Sequence, residues 1–445
     1  MPYRLFYLAY RLVTGAWNRM RRRLSLAGLS AVAGLCVVAG FGSDVQNNVL
    51  YEAFSVLLSL LMLAFGLSRF WRARFAAKRH LPRLGSVGHP LYYRVEIKNL
   101  GGKLQESLTL LEDFEDSRPN YRDWVAFHLL ESRRVRPFRV NQHRRFHPFR
   151  VAISKNLELP PIPKHGEVEV TMELLPLRRG IVRFKGLTVA RPDPLGLFRS
   201  FIRLEVPQTV LILPRRYPLP MVALPGSMKY QEGGVALAAN VGRSEEFVSL
   251  REYRYGDPLR NIHWRSWARV GKPIVKEFED EFFVRHALIL DTFNAEPFSE
   301  VLEAAVSLAA SFACTVLTQE SLLDLLFVGA QSYCFTAGRG LGQADQMLEI
   351  LASVRHCPDK KFDTLEQQVM NHVSAVSGCI CVLQCWDQAR RSLLNKLKVL
   401  GVPVLALVIL PVGGTIPADV DTIRTPILRI HFLEVDKIEE GLRQL

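Results

Sequence analysis

The sequence predicts a mixed architecture in three parts: an N-terminal transmembrane helical hairpin, a β-sandwich domain and a C-terminal α/β domain of the doubly wound kind. Three observations carry this reading. Two apolar runs, each about 20 residues long, open the chain. Short alternating strands punctuated by Gly, Pro and Asn fill the middle, and continuous apolar strands separated by helix-length amphipathic stretches fill the C-terminal half. With 445 residues, 49% of them hydrophobic, the chain is long enough for two or three packed cores and is not a disordered, collagenous or disulfide-stapled chain.

The apolar runs are LSLAGLSAVAGLCVVAGFG (24–42) and VLYEAFSVLLSLLMLAFGLSRFW (49–71), joined by SDVQNN. Much of the net charge of +14 surrounds them. Arg4, Arg11, Arg19, Arg21, Arg22 and Arg23 precede the first run, and Arg69, Arg72, Arg74, Lys78, Arg79 and Arg83 border the second, with no acid in either stretch. Lys and Arg concentrate on the cytoplasmic side of membrane helices, so residues 24–71 are expected to form a two-helix hairpin. Both termini and the soluble domains would then lie in the cytoplasm. A cleaved signal peptide has the same basic-then-apolar form, but a second apolar run follows at once and no clear small-residue cleavage site is present. The same arginines suit anionic membrane lipid. Glu52 is placed at the membrane interface.

From His89 to Arg216 the runs LYYRVEIKNLG, GEVEVTMELLPL, GIVRFKGLTVA and FIRLEVPQTVLILP alternate with period two, within a sandwich-like domain expected over 84–216. RPDPLGLF (191–198) interrupts them with a tight turn in which the aspartate is expected to bond its own backbone. An insertion at 118–155 holds ten Arg or Lys against Asp123 and Glu131. Interleaved with Tyr121, Trp124, Phe138, Phe146 and Phe149, these basic residues could stack on bases and neutralise phosphates. Tethering near a bilayer favours instead the inner leaflet or an acidic protein partner. His143 and His147 have the i, i+4 spacing of a metal pair, but Pro148 opposes the helix they would need.

The seven cysteines are odd in number and dispersed, as reduced thiols are. Cys379, Cys381 and Cys385 fall in an apolar strand-like run that lacks the loop spacing of a zinc site. In the α/β domain (285–445), RHALILD, SLLDLLFVG, QSYCFTAG, GCICVLQC and VPVLALVIL read as strands. Helices are expected over 298–319, 341–355, 362–375, 387–399 and 434–444. Asp291 and Asp387 sit at carboxyl ends of strands, where such folds bind ligands.

Residues 217–284 join the two domains and contain LREYRYGDPLRNIHWRSWARVGKPIVKEFEDE (250–281). Asp257 is expected to cap a helix with Pro258 at its first position and Gly271 at its end. On that helix Trp264 and Trp267 are i, i+3 neighbours, Ala268 lies beside Trp264, and Arg265 and Arg269 share another line. Arg251 and Tyr253 occupy one face of the preceding strand, Leu250 and Glu252 the other. Glu252, Asp257 and His263 could act as acid and base, but no Ser or Cys nucleophile and no phosphate-binding glycine loop accompanies them. The flanking acids oppose nucleic acid. A structural joint is the favoured reading, with the tryptophans filling an interdomain core and the arginines pairing with the acids.

The hairpin, LRRG and DPLGLF in the β module, LREYRYGDPLRNIHWRSWAR, KEFEDE and LILDT together resemble the bacterial domain-of-unknown-function 58 family. The residues carrying the resemblance include Arg251, Glu252, Tyr253, Gly256, Asp257, Arg260, His263, Trp264, Ala268 and Arg269. The resemblance implies a membrane-anchored protein with a von Willebrand factor A-like α/β domain, and MoxR-type AAA+ ATPases as partners. It also implies Mg²⁺ held by a DxSxS loop, a threonine and a later aspartate. Here the loop reads DTFNA. Asp291 matches and Asp387 stands for the later aspartate, but Phe293 and Ala295 replace the two hydroxyls, and Thr336 falls only loosely where the threonine belongs. Thr292 and Asn294 are possible substitutes, yet a degenerate site without metal is expected. The expected function is a scaffold or adaptor at the bacterial inner membrane, acting without catalysis in complex assembly or remodelling. A metal-dependent membrane-associated hydrolase and a nucleic-acid-binding membrane protein are the alternatives.

Overall fold

The computed structural model describes residues 2–41, 48–116, 118–134, 150–220, 247–255, 257, 259, 262–278, 285–294, 299–318, 322–338, 341–417 and 425–445. The chain divides into two compact units, the first ending at Arg215 and the second beginning at Arg216.

The first unit starts with three helices: α1 (Pro2–Arg23), α2 (Leu26–Phe41) and α3 (Asn48–Ser68). Helix α1 has Pro2 in its first turn, where no amide is needed, and Arg21, Arg22 and Arg23 in its last turn, where cations suit the helix dipole. Its 3.6-residue period puts Tyr7, Tyr10 and Thr14 on a half-buried line and leaves Leu5, Leu8 and Leu12 exposed. Among the described residues only α3 is long and apolar enough to cross a membrane. Its 21 residues span about 31 Å, against a hydrocarbon core of about 30 Å. Helix α2 has 16 residues and reaches about 24 Å, so the expected pair of full-length spans reduces to one. Ala31, Val32 and Leu35 of α2 pack around Leu61 and Ala64 of α3, while Val56, Met62 and Leu63 stay exposed.

Nine strands follow: β1 (Phe75–His80), β2 (Leu84–Ser86), β3 (Leu91–Asn99), β4 (Leu108–Phe114), β5 (Ala152–Ser154), β6 (Leu157–Leu159), β7 (Glu167–Pro176), β8 (Gly180–Pro192) and β9 (Arg199–Leu213). They form a four-stranded sheet, β1-β3-β7-β5, and a five-stranded sheet, β2-β9-β8-β4-β6. The inward positions of both sheets share one core, with Val95, Ile97, Met172 and Leu174 from the first and Leu110, Phe184, Leu187, Val189 and Ile212 from the second. Burying each such side chain contributes about 1.5–3 kcal/mol. A helix, α4 (Tyr121–Arg134), is carried between β4 and β5.

Arg79, expected among the charges beside the membrane, is fully buried in this core. It pairs with buried Glu112 at 2.9 Å, donates to the carbonyls of Val206 and Gly186 at 3.0 Å each, and lies over the Phe184 ring. The Tyr93 hydroxyl donates to the other Glu112 oxygen at 2.7 Å. Burial pushes the Glu112 carboxyl up to about 7, against the opposing pull of Arg79.

The second unit holds an antiparallel pair, β10 (Phe247–Glu252) and β11 (Ile274–Phe278), connected through a short helix α5 (Trp264–Val270). The remaining elements are β12 (Arg285–Leu290), α6 (Glu300–Thr318), β13 (Leu322–Val328), β14 (Ser332–Ala337), α7 (Leu341–Ser353), α8 (Asp363–His372), β15 (Gly378–Leu383), α9 (Gln388–Val399), β16 (Val404–Leu410), β17 (Leu428–Glu434) and α10 (Ile438–Leu442). Strands β12 to β17 form one sheet in the order β14-β13-β12-β15-β16-β17, parallel except for the edge strand β14. Both faces are covered: Leu365 and Val369 of α8 and Leu393, Leu394 and Leu397 of α9 pack on one. Helix α6 packs against β12, β13, β15 and β16. The C-terminal helix expected near 434–444 is present as a 3-10 turn, Val435–Lys437, running into the short α10, and it follows an edge strand, β17, whose LRIHFLE mixes buried and half-buried positions.

Candidate functional site

In this strand order β12 is central, and the connections leave it first toward β13 and later toward β15. The topological switch point therefore lies between the carboxyl ends of β12 and β15, where open α/β sheets place ligands. Asp291 follows β12 directly and is fully buried. Asp387 follows β15 and caps α9, accepting the Arg390 amide at 2.9 Å. The two aspartates predicted from sequence are thus brought to one place.

A cation already stands between them, and it belongs to the chain. Arg390 forks onto Asp291, with Nε to Oδ2 at 3.0 Å and Nη2 to Oδ1 at 3.1 Å, and its Nη1 reaches Asp387 at 2.5 Å. Its guanidinium also lies 4.4 Å from the Phe362 ring centre. The backbone amides of Phe293 and Gln384 donate to the two Asp291 oxygens at 3.0 and 3.1 Å, so each oxygen receives two donors. Burial alone would lower the Arg390 pKa, but the Asp291 charge and hydrogen bonds outweigh it and the net shift is upward. Arg390 is therefore a permanent charge.

These residues do not fit a magnesium ion. The ligand carboxylate is saturated by donors, and Phe293, at the first hydroxyl position, packs edge-on against Phe362. Ala295 lies outside the described residues. Thr292 turns away and donates to the Val328 carbonyl, and Asn294 donates to Gln384 at 3.0 Å. Thr336 bonds Asp324 at 2.6 Å, and Asp324 is registered with Ala287, four residues before Asp291 and about 13 Å along the strand. Among the described residues no group of three His, Cys, Asp or Glu is placed to hold a metal. Cys379 and Cys381 are buried in β15, whereas Cys385 is exposed beyond it.

The charged motif is organised differently from the sequence expectation. Asp257 does not cap α5. It takes both guanidinium arms of Arg251, at 2.7 and 2.8 Å, and the Arg254 amide at 2.7 Å, and the Arg251 hydrogen bonds hold its carboxyl down at about 2. Helix α5 begins later, after His263, whose Nδ1 is 2.7 Å from the Ser266 hydroxyl. Gly271 ends it in the left-handed conformation, as expected. Glu252 pairs with Lys272 at 3.2 Å on the surface, so the candidate acid–base residues Glu252, Asp257 and His263 each engage a different partner. The Tyr253 amide closes the β10–β11 hairpin onto the Pro273 carbonyl. Gly256, Pro258 and Arg260 lie outside the described residues.

Trp264 and Trp267 stack at 5.2 Å, but Trp264 is 65% exposed and α5 has no buried residue, so this pair does not fill a core. Tyr255, Leu259 and Val270 are exposed with it, as are Ala268 and Arg269.

Residues 249–407 match the family model described as "Protein of unknown function DUF58". This stretch, from β10 through most of β16, is where the chain resembles the DUF58 family. An uncharacterized protein of Bacillus subtilis (strain 168), YeaD, is 27% identical over 210 residues, which are 46% of this chain and 50% of that one. The match thus spans about half the length of this relative. Among solved structures, the CARDB domain of a Pyrococcus furiosus protein aligns at 15% identity and a TM-score of 0.18, covering 32% of this chain and 93% of that domain. A cohesin module from a Clostridium perfringens family 33 glycoside hydrolase aligns at 13% and 0.17, covering 32% and 98%. Scores this low carry no argument about the fold.

Tyr121 and Trp124 of the insertion pack on the protein itself. Trp124 is buried against Tyr7 and Tyr10 of α1, and Tyr121 packs edge-on against Tyr7, so neither is free to stack on a base. Phe138, His143, Phe146, His147 and Phe149 lie outside the described residues. Arg390 was missed from sequence. Its only signal is an arginine three residues after an N-capping aspartate.

Proposed function

We propose that this protein is a membrane-attached, non-catalytic interaction module. Its family motif would dock a protein partner of the MoxR-type AAA+ ATPase class, in the assembly or remodelling of protein complexes. The observation that carries the reading is the exposure of Tyr255, Leu259, Trp264 and Val270 in a segment whose charged residues Arg251, Asp257, Glu252 and Lys272 are already paired with one another. Large exposed apolar side chains gathered on one segment favour a protein partner. The switch point that would serve a metal-dependent hydrolase is taken up by Arg390, which counts against that alternative. The strand order, with β12 central and β14 antiparallel at the edge, supports a von Willebrand A-like assignment for the second unit. Helix α3 would hold the chain at the bacterial inner membrane with its soluble parts in the cytoplasm.

Chemical cross-linking in native membranes, followed by identification of the bound chains, tests this. An AAA+ ATPase joined through 250–278 is expected; recovery of this chain with no protein partner would remove the reading.

A further inference from the structure

A cavity of about 490 Å³ opens in the first unit where the end of α1 lies over the sheet of β4, β8 and β9. Arg19, Arg23 and Arg203 stand around it, and Leu111, Phe198 and Phe201 form apolar wall. A fourth arginine, Arg22, is committed, to Asp113 at 2.5 Å and to the Glu112 carbonyl at 2.8 Å. Asp113 also accepts from the Thr188 hydroxyl, so the acid closest to this cluster is already neutralised. Among the described residues the Arg23 and Arg203 guanidinium groups have neither a carboxylate nor a hydrogen-bond partner, and the Arg19 guanidinium donates only from Nε, to the Gly15 carbonyl at 3.2 Å. The cavity therefore carries unspent positive charge next to an apolar wall, a combination suited to an anion that bears a hydrocarbon chain.

The position in the fold says which anion. Leu24 lines the cavity directly after Arg23 and bridges to Phe198, and the next residue, Ser25, leads into apolar α2. The DPLGLF turn holds this junction. The Asp193 carboxylate accepts the backbone amides of Phe198 at 2.7 Å and Leu195 at 3.3 Å, and the Gly196 and Leu197 carbonyls accept the Ser25 hydroxyl and amide at 2.5 and 2.9 Å. On α1, Leu5, Phe6, Leu12, Val13 and Trp17 are all more than half exposed, while Tyr7 and Tyr10 pack on α4. A helix with arginines and an outward apolar face, leading straight into apolar helices, has the character of one that lies in a headgroup layer.

We infer that this cavity binds the headgroup of an anionic phospholipid, its phosphate held by Arg23 and Arg203 and the start of an acyl chain lying along Phe198 and Phe201. The inference rests on the membrane attachment proposed above. An acidic peptide would satisfy the arginines but would leave the outward face of α1 in water.

The full chain in detergent micelles, titrated with phosphatidylglycerol or phosphatidylcholine and read by native mass spectrometry, tests it. One phosphatidylglycerol should be retained where phosphatidylcholine is not, and Arg23→Gln with Arg203→Gln should weaken retention by about tenfold or more. Arg94→Gln, which removes an exposed arginine of β3, should leave it unchanged. Arg23→Gln alone, at the last position of α1, carries the test if the double variant fails to fold. Equal retention of both lipids, an equal loss in Arg94→Gln, or displacement by millimolar inorganic phosphate would overturn the assignment. Alkaline washing of native membranes reports α3 separately. A chain that washes off refutes the attachment, whereas a retained chain without lipid selectivity refutes only the cavity.

Discussion

Replacing Arg390 by Met leaves a carboxylate with no counter-charge at a fully buried position. Asp291 would keep the Phe293 and Gln384 amides but lose two charge-assisted bonds of 3.0 and 3.1 Å. Asp387 would lose its 2.5 Å partner, though it is partly exposed and regains water. Breaking one side of a buried ion pair costs about 3–5 kcal/mol, because the remaining charge is neither solvated nor neutralised. Removing both charges together, as Arg390→Met with Asp291→Leu, should cost less than the sum of the single changes by about 2 kcal/mol or more. Urea unfolding of the full chain in detergent, followed by tryptophan fluorescence, measures all four corners of the cycle. A loss below about 1 kcal/mol for Arg390→Met, or an additive cycle, would show that this pair does not organise the switch point.

Three further outcomes follow from the same geometry. Burial depresses His286 to about 4 from its ordinary 6.5, and its Nδ1 is buried without a hydrogen-bond partner among the described residues. The unfolded chain takes up that proton first, so stability is full above about pH 6.5 and falls by about 3 kcal/mol as pH drops toward 4. His286→Phe should flatten that fall, and an unchanged acid limb in urea melts would rule this origin out. A Cβ on Gly28 would meet the Leu197 carbonyl oxygen at 2.1 Å, so Gly28→Ala should cost about 1–3 kcal/mol by pushing α2 off the DPLGLF turn. A thermal midpoint equal to that of the unaltered chain would contradict it. Millimolar Mg²⁺ should leave the melting temperature unchanged; a stabilisation abolished by Asp291→Ala would mean that Arg390 yields to the metal.

The parallel strands were legible because burial on both faces leaves continuous apolar runs, as in LLDLLFV and VLALVIL. Strand β17 was not, since an edge position admits Arg429 and His431 and breaks the run. Helix α1 was hidden as a basic tail, because six arginines drew attention from the apolar residues between them. Position 26–41 was apolar enough to suggest a span but too short as a helix to make one. At the switch point, Asp291 and Asp387 were readable from their places after strands, and the missing hydroxyls argued against metal. The arginine that replaces the ion lies 99 residues from Asp291, and no local pattern links them. In the motif, Asp257 before Pro258 looked like a cap, yet the arginine six residues earlier was the stronger partner.

The central claim is that the exposed motif is a docking face, and a photocrosslinking amino acid placed at position 264 in the full chain tests it most directly. With the same group at position 259 as a second probe and at position 94 in β3 as the control, irradiation of intact membranes should join an AAA+ ATPase at 264 and 259 and not at 94. No protein adduct at 264, or the same adduct from 94, would contradict the account.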